Sequence, residues 1–195
     1  MVLFPCVEMP LGKNALFKSL TYTEYPIPGK QYITFPDDDD FSGTEGLSVD
    51  SNLLGEKNAA QAIMSAISAS PARSGYLTSN VHEKLQGASL GLACAIELCF
   101  PNKFPHIAFT GFVTSLVSGD CTFKVHDVDK IDVKIQSALR QSIPLVVPYS
   151  AYVADNWPAL GILTPKLITS HPPTSPFRIG TCYSLLEASV VAEYL

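Results

Sequence analysis

The alternation of helical segments with short apolar strands is the feature that most limits what this chain can fold into. One helix is predicted over about 56–69, where Ala60, Ile63, Met64 and Ile67 recur at i, i+3, i+4 and i+7 and Pro71 ends the run. A second, from Gly87 to Phe100, is rich in Ala, Leu and Cys and closes at Pro101. A third is predicted over Ile131–Gln141, and a final amphipathic helix over Ser184–Leu195. Between them, 106–113 reads as a buried strand. Residues 114–128 read as a further strand or a hairpin turning at Gly119-Asp120, and Leu145–Val147 as a short strand between prolines. Upstream, Tyr22–Ile27 and Gln31–Phe35 are β-prone pieces of a Pro-punctuated stretch. Asp37–Asp40 reads as a solvated acidic loop, and the Pro-, Ser- and Thr-rich segment 164–179 as a surface loop. No internal repeat is visible. Interleaved in this way, the elements predict an α/β (or α+β) domain with mixed sheets packed with helices.

Composition narrows the function classes. At 195 residues and 47% hydrophobic content, the chain has the size of one globular domain with its own core. A net charge of −5 without a Lys/Arg stripe argues against a nucleic-acid or anionic-membrane partner. Cys6, Cys94, Cys99, Cys121 and Cys182 are odd in number and show no CxxC spacing, which fits a reducing, cytoplasmic compartment. The longest apolar candidate, Ile143–Leu163, is broken by Pro144, Pro148, Asp155 and Pro158, and the N-terminus lacks a signal-peptide pattern, so a soluble protein is expected. No cofactor or metal is expected. The acidic run lacks the spacing of a calcium loop, and His126 with Asp127 and Asp129 reads as a polar loop. Cys94 and Cys99 read as small core residues, and Trp157 as a packing anchor.

Ser89 stands apart. It sits in Gly87-Ala88-Ser89-Leu90-Gly91 at a helix start, where unpaired N–H groups and the positive dipole end can hold an oxyanion. Leu92, Ala93 and Ile96, at +3, +4 and +7, place it at the head of the apolar face. A serine hydroxyl needs a base, and none of His82, His106, His126 and His171 sits in a setting that names it as one. A desolvated lysine can serve. Lys134, between Val133 and Ile135 on a predicted helix, is the attractive choice. Each residue has an ordinary reading too: a serine at a helix start is usually a cap, and a lysine among apolar neighbours usually snorkels to solvent. Spacing alone does not bring the two together.

The segment from about 46 to 148 resembles the proteolytic domain of Lon peptidases, and more closely the ATPase-free birnavirus polyprotein proteases. Gly87-Ala88-Ser89-Leu90-Gly91 stands where that family has Gly-Pro-Ser-Ala-Gly, and Ile107-Ala108-Phe109-Thr110-Gly111 where it has a strand ending in Thr-Gly. Lys134 then opens the lysine helix, and Pro144-Leu145-Val146-Val147-Pro148 is the strand after it. Asn52-Leu53-Leu54-Gly55-Glu56 and the Ala-rich helix following it resemble the family's segment before the nucleophile. Ala88 and Leu90 replace the usual Pro and Ala, Phe112 replaces a Glu, and the interval from Thr110 to Lys134 is lengthened, which leaves Lys130 and Lys124 as competitors. The resemblance implies a Lon-like catalytic core at 46–148, with a variable part at 1–45 and a C-terminal loop and helix at 149–195. It implies Ser89 as nucleophile, Lys134 as general base, Thr110 orienting the lysine amine, and the N–H groups of Ala88 and Ser89 as oxyanion hole. With no Walker A motif, the implied activity is ATP-independent cleavage of polypeptides, viral polyprotein processing and self-cleavage included, in the host cytoplasm. A non-catalytic Lon-like assembly module, and a peptidase subunit that needs a separate ATPase or a ring, are the alternatives.

Overall fold

The computed structural model describes residues 1–8, 12–24, 46–71, 73–115, 123–170 and 177–195. The acidic run Asp37–Asp40, the β-prone Gln31–Phe35, the turn at Gly119-Asp120, Cys121 and His171 lie outside them, as does the side chain of Trp157.

Strand β1 (Val2–Val7) pairs antiparallel with β2 (Ala15–Glu24), Val2 opposite Leu20 and Val7 opposite Ala15. After β3 (Leu47–Val49) come the short helix α1 (Ser51–Leu54), α2 (Lys57–Ser68) and β4 (Gly75–Ser79). A 3-10 turn, Ala88–Leu90, runs directly into α3 (Gly91–Cys99). Then follow β5 (Ala108–Phe109), β6 (Phe112–Ser115), β7 (Phe123–His126), α4 (Ile131–Gln141) and β8 (Leu145–Pro148). The chain ends with α5 (Ala151–Leu160), β9 (Ile162–Leu163), α6 (Pro165–Ser170), β10 (Ile179–Cys182) and α7 (Leu185–Ala192). Eight strands form one mostly parallel sheet in the order β3-β4-β2-β1-β5-β8-β10-β9, and β6 and β7 form a separate antiparallel pair. The fold is a mixed α/β one.

Helix α3 is the pivot of the packing. Leu92, Ala93, Cys94, Ala95, Ile96 and Leu98 are all buried, so it is sheathed on every side, as an apolar helix must be. Its alanines, with Ala59 and Ala62 of α2, keep the two helices close. Burying a side chain such as Leu92 or Ile96 contributes about 1.5–3 kcal/mol each. Glu97, fully buried on α3, ties it to β2 by accepting the Tyr22 N–H (3.1 Å) and also pairs with the Met1 amine (2.7 Å).

Several elements depart from the sequence expectations. The single strand expected at 106–113 divides: Ala108–Phe109 joins the large sheet and Phe112–Ser115 the small one. The break falls at Gly111, whose φ of +152° few other residues adopt. The segment 164–179, read as a loop, contains α6 and the start of β10. Helix α5 forms over Ala151–Leu160, where no element was expected, with Pro158 inside it. The last helix is not amphipathic, because both its faces carry apolar residues. In the Pro-punctuated N-terminal segment, β1 lies mid-sheet. The Leu3 N–H reaches Ile107 O (2.9 Å) on the β5 side. Pro5, the next residue facing that edge, has no N–H to continue the ladder, and the chain from Phe4 to Glu8 instead lines a cleft. Among the described residues no helix is long and apolar enough to cross a membrane.

Candidate active site

The cleft has a volume of about 970 Å³ and brings together separated stretches of chain, among them the end of β1, the 3-10 turn with the segment before it, and the β7–α4 connection. Both Ser89 and Lys134 line it.

Ser89 is half-buried in the 3-10 turn, behind an extended Gly87. Its carbonyl is clamped twice, accepting the Gly111 N–H (3.0 Å) and the Thr110 hydroxyl (3.4 Å). In return Leu92 N–H donates to Gly111 O (2.9 Å). The turn is therefore seated on Thr110-Gly111, where the chain leaves the large sheet. Gly91 allows this seating: a Cβ there would lie 3.3 Å from Gly111 O and 3.4 Å from Ala62 Cβ. The N–H groups of Ala88 and Ser89 stand at the head of the turn, ahead of any intrahelical acceptor.

Lys134 occupies a core position of α4. Ile131, Lys134, Ile135 and Ala138 fall at i, i+3, i+4 and i+7, so the stripe that glues the helix down carries the lysine inward, and only 3% of the residue is exposed. Among the described residues its amine has neither a hydrogen bond nor an ion pair. Burial lowers its pKa from 10.5 to about 8, against the opposing pull of Asp129, Cys6 and Asp127.

The competing lysines are placed differently. Lys130, at the cap of α4 with φ +58°, lines the cleft but is exposed, its amine close over Gly12. Lys124 is exposed on β7 and does not line the cleft. Of the histidines, His82 is exposed on the rim and His106 is exposed elsewhere. His126 is engaged with the Thr114 hydroxyl (2.6 Å), its pKa lowered by burial and by Lys124. Thr110, fully buried, bonds to the Ser89 carbonyl, and no hydrogen bond joins it to the Lys134 amine.

Sequence reasoning missed Cys6. It is half-buried in the cleft wall, and burial raises its thiol to about 11, although Lys18 and Lys134 act to lower it. Nothing local marked it, because its position depends on β1 pairing with distant strands. Asp127 and Asp129, read as part of a polar loop, are exposed at the cleft lip and act on the lysine. Among the described residues no cluster of His, Cys, Asp and Glu is fit to hold a metal. No family of known proteins has a sequence profile that matches this chain, and no curated protein sequence matches it.

Proposed function

We propose that this chain is an ATP-independent serine endopeptidase, a Lon-like domain with Ser89 as nucleophile and Lys134 as general base. One observation carries the reading. A half-exposed serine at a helix start shares a cleft with a lysine amine that has no hydrogen bond or ion pair among the described residues and that burial brings down to about 8. A lysine at its ordinary value is charged at neutral pH and takes no proton; one near 8 is partly neutral there and serves as a base. The order of elements supports the Lon-like reading: a nucleophile turn opening a buried helix, a strand ending in Thr110-Gly111, the lysine helix, then β8.

The chemistry follows from these groups. Lys134 takes the Ser89 hydroxyl proton as Oγ attacks the scissile carbonyl. The N–H groups of Ala88 and Ser89 receive the developing oxyanion. The lysine ammonium hands its proton to the leaving amine, and the free amine then deprotonates the water that releases the acyl group. Thr110 holds the Ser89 backbone in place by donating its hydroxyl to the Ser89 carbonyl. Substrates are exposed, extended polypeptide segments, the protein's own polyprotein included, in the host cytoplasm. The open cleft favours this over an assembly module, which has no need of one.

Incubation with an unfolded protein substrate tests the proposal. Ser89→Ala is expected to cost on the order of 10⁶ in kcat, and Lys134→Ala about 10²–10⁴ or more, with unchanged circular dichroism. Lys130→Ala keeps most of the activity. Full cleavage by either the Ser89 or the Lys134 variant rejects the dyad.

A further inference from the structure

Glu97 and Lys134 are the charged side chains buried among the described residues. The proposed chemistry uses Lys134 and gives Glu97 no part. Glu97 Oε1 accepts the Tyr22 N–H (3.1 Å) and the α-amine of Met1 (2.7 Å), and its Oε2 has no hydrogen-bond partner among the described residues. The same amine donates to Asn102 Oδ1 (2.8 Å), in the turn that follows α3. Arg73 reaches the same helix but is engaged elsewhere: its Nε donates to Leu98 O (3.0 Å), and its guanidinium lies over the Tyr22 ring. Among the described residues the Met1 amine is therefore the only cation paired with Glu97.

A buried carboxylate left without a cation keeps its desolvation cost and loses the attraction that offsets it. What the Met1 nitrogen is chemically therefore matters. As a free amine it carries a positive charge and three N–H donors, enough for both oxygens that it meets. Joined to a preceding residue, the same nitrogen is an amide, neutral and with a single N–H. It then serves Glu97 or Asn102 but not both, and it offers the carboxylate no charge.

This junction reaches both sides of the cleft. Met1 leads into β1, whose far end, Pro5 to Glu8, borders the cleft. Glu97 belongs to α3, and the Ser89 turn, which also borders it, runs directly into that helix.

We propose that the Met1 amine is a maturation switch. In a precursor in which residues precede Met1, Glu97 lacks its cation. Hydrolysis of the peptide bond before Met1 supplies it, draws the start of β1 onto α3 and sets the two sides of the cleft. That hydrolysis divides a water between the products, and proton transfer from the new carboxyl to the new amine leaves a carboxylate and an ammonium. The reaction that must precede full activity is thus a proteolytic cut, made by this domain or by another peptidase. Control of the cleft rests on the peptidase reading above; the Met1–Glu97 junction does not.

The chain carrying a removable extension directly before Met1, measured before and after its removal, tests the switch. The released protein is expected to melt on the order of 5 °C above the extended form, as loss of a cation from a buried carboxylate in a chain of this size implies. It is also expected to cleave an unfolded substrate about tenfold faster, since a small displacement of the nucleophile is costly. Glu97→Gln separates charge from bulk. A neutral amide needs no cation, so the melting gap between its extended and released forms is expected to close. Equal melting of the two wild-type forms overturns the proposal, and so does a gap that persists undiminished in Glu97→Gln. A melting gap with identical cleavage rates overturns the link to the cleft. Absence of cleavage from both forms counts against the peptidase reading, while the melting comparison still decides the junction.

Discussion

Lys134 carries opposing demands. Its folded pKa of about 8 lies below the ordinary 10.5, so below pH 8 the folded state holds a buried charge that the unfolded state hydrates freely. That cost to stability fades as pH rises from 8 to 10.5. Lys134→Met is therefore expected to stabilise the fold at neutral pH, on the order of 1–3 kcal/mol, while abolishing cleavage. Urea titrations at neutral pH and above pH 10 check both the gain and its disappearance. If the neutral amine is the base, kcat rises with pH to a plateau, half-maximal near 8. Asp129 pulls that value up, so Asp129→Asn is expected to move the rising limb towards acid with little change in KM. A limb that stays put under this substitution removes Lys134 from the role. Cys6 gives a further handle on the same cleft. In the proposed mechanism a maleimide is expected to abolish cleavage slowly at neutral pH and about tenfold faster per pH unit below the thiol's own value, which burial sets near 11. Cys6→Ser protects against it, as residual activity shows.

Among the elements, the passage from β5 to β6 organises the site. Two residues, Thr110 and Gly111, change the chain from the large sheet to the small one and hold the Ser89 turn through its carbonyl. A Cβ at position 111 would sit 2.8 Å from Val125 Cγ1, at a φ of +152°. Gly111→Ala is expected to destabilise by about 1–3 kcal/mol and to lower kcat more than it raises KM. Thermal unfolding with steady-state kinetics separates the two effects. Pro5 works at the opposite wall. By ending the β1–β5 ladder, it leaves the following residues free to border a cleft rather than a neighbouring strand.

At the scale of the whole molecule, the cleft exists because the sheet interleaves distant segments. Strand β1 meets β5, and β5 meets β8, so the first residues of the chain lie beside the Ser89 turn and helix α4. No unfolding machinery accompanies this domain in the proposed mechanism. Addition of ATP is expected to leave the cleavage rate of an unfolded substrate unchanged and a tightly folded substrate uncut, as a gel time course shows.

Local periodicity determined much of this protein. The run Ile131–Gln141 was legible as a helix, and its apolar positions recur at i, i+4 and i+7 with Lys134 at i+3 of the same stripe. The start of α3 was legible too, since a dense apolar run follows Gly87 and Gly91 and Pro101 closes it. Periodicity says which face of an element is buried, but not what it is buried against. The sequence favoured Lys134 on its apolar neighbours and its register and left Lys130 and Lys124 as competitors; the packing of α4 then carried only the first below the surface. The apolar stretch 106–113 reads as one strand because both of its halves are buried; only the pairing of each half with a different sheet reveals the break at Gly111. Cys6 entered the cleft, and α7 kept an apolar outer face, through contacts made or left unmade far along the chain. Such contacts are set by the closing of the whole sheet and leave no mark in any window of neighbouring residues.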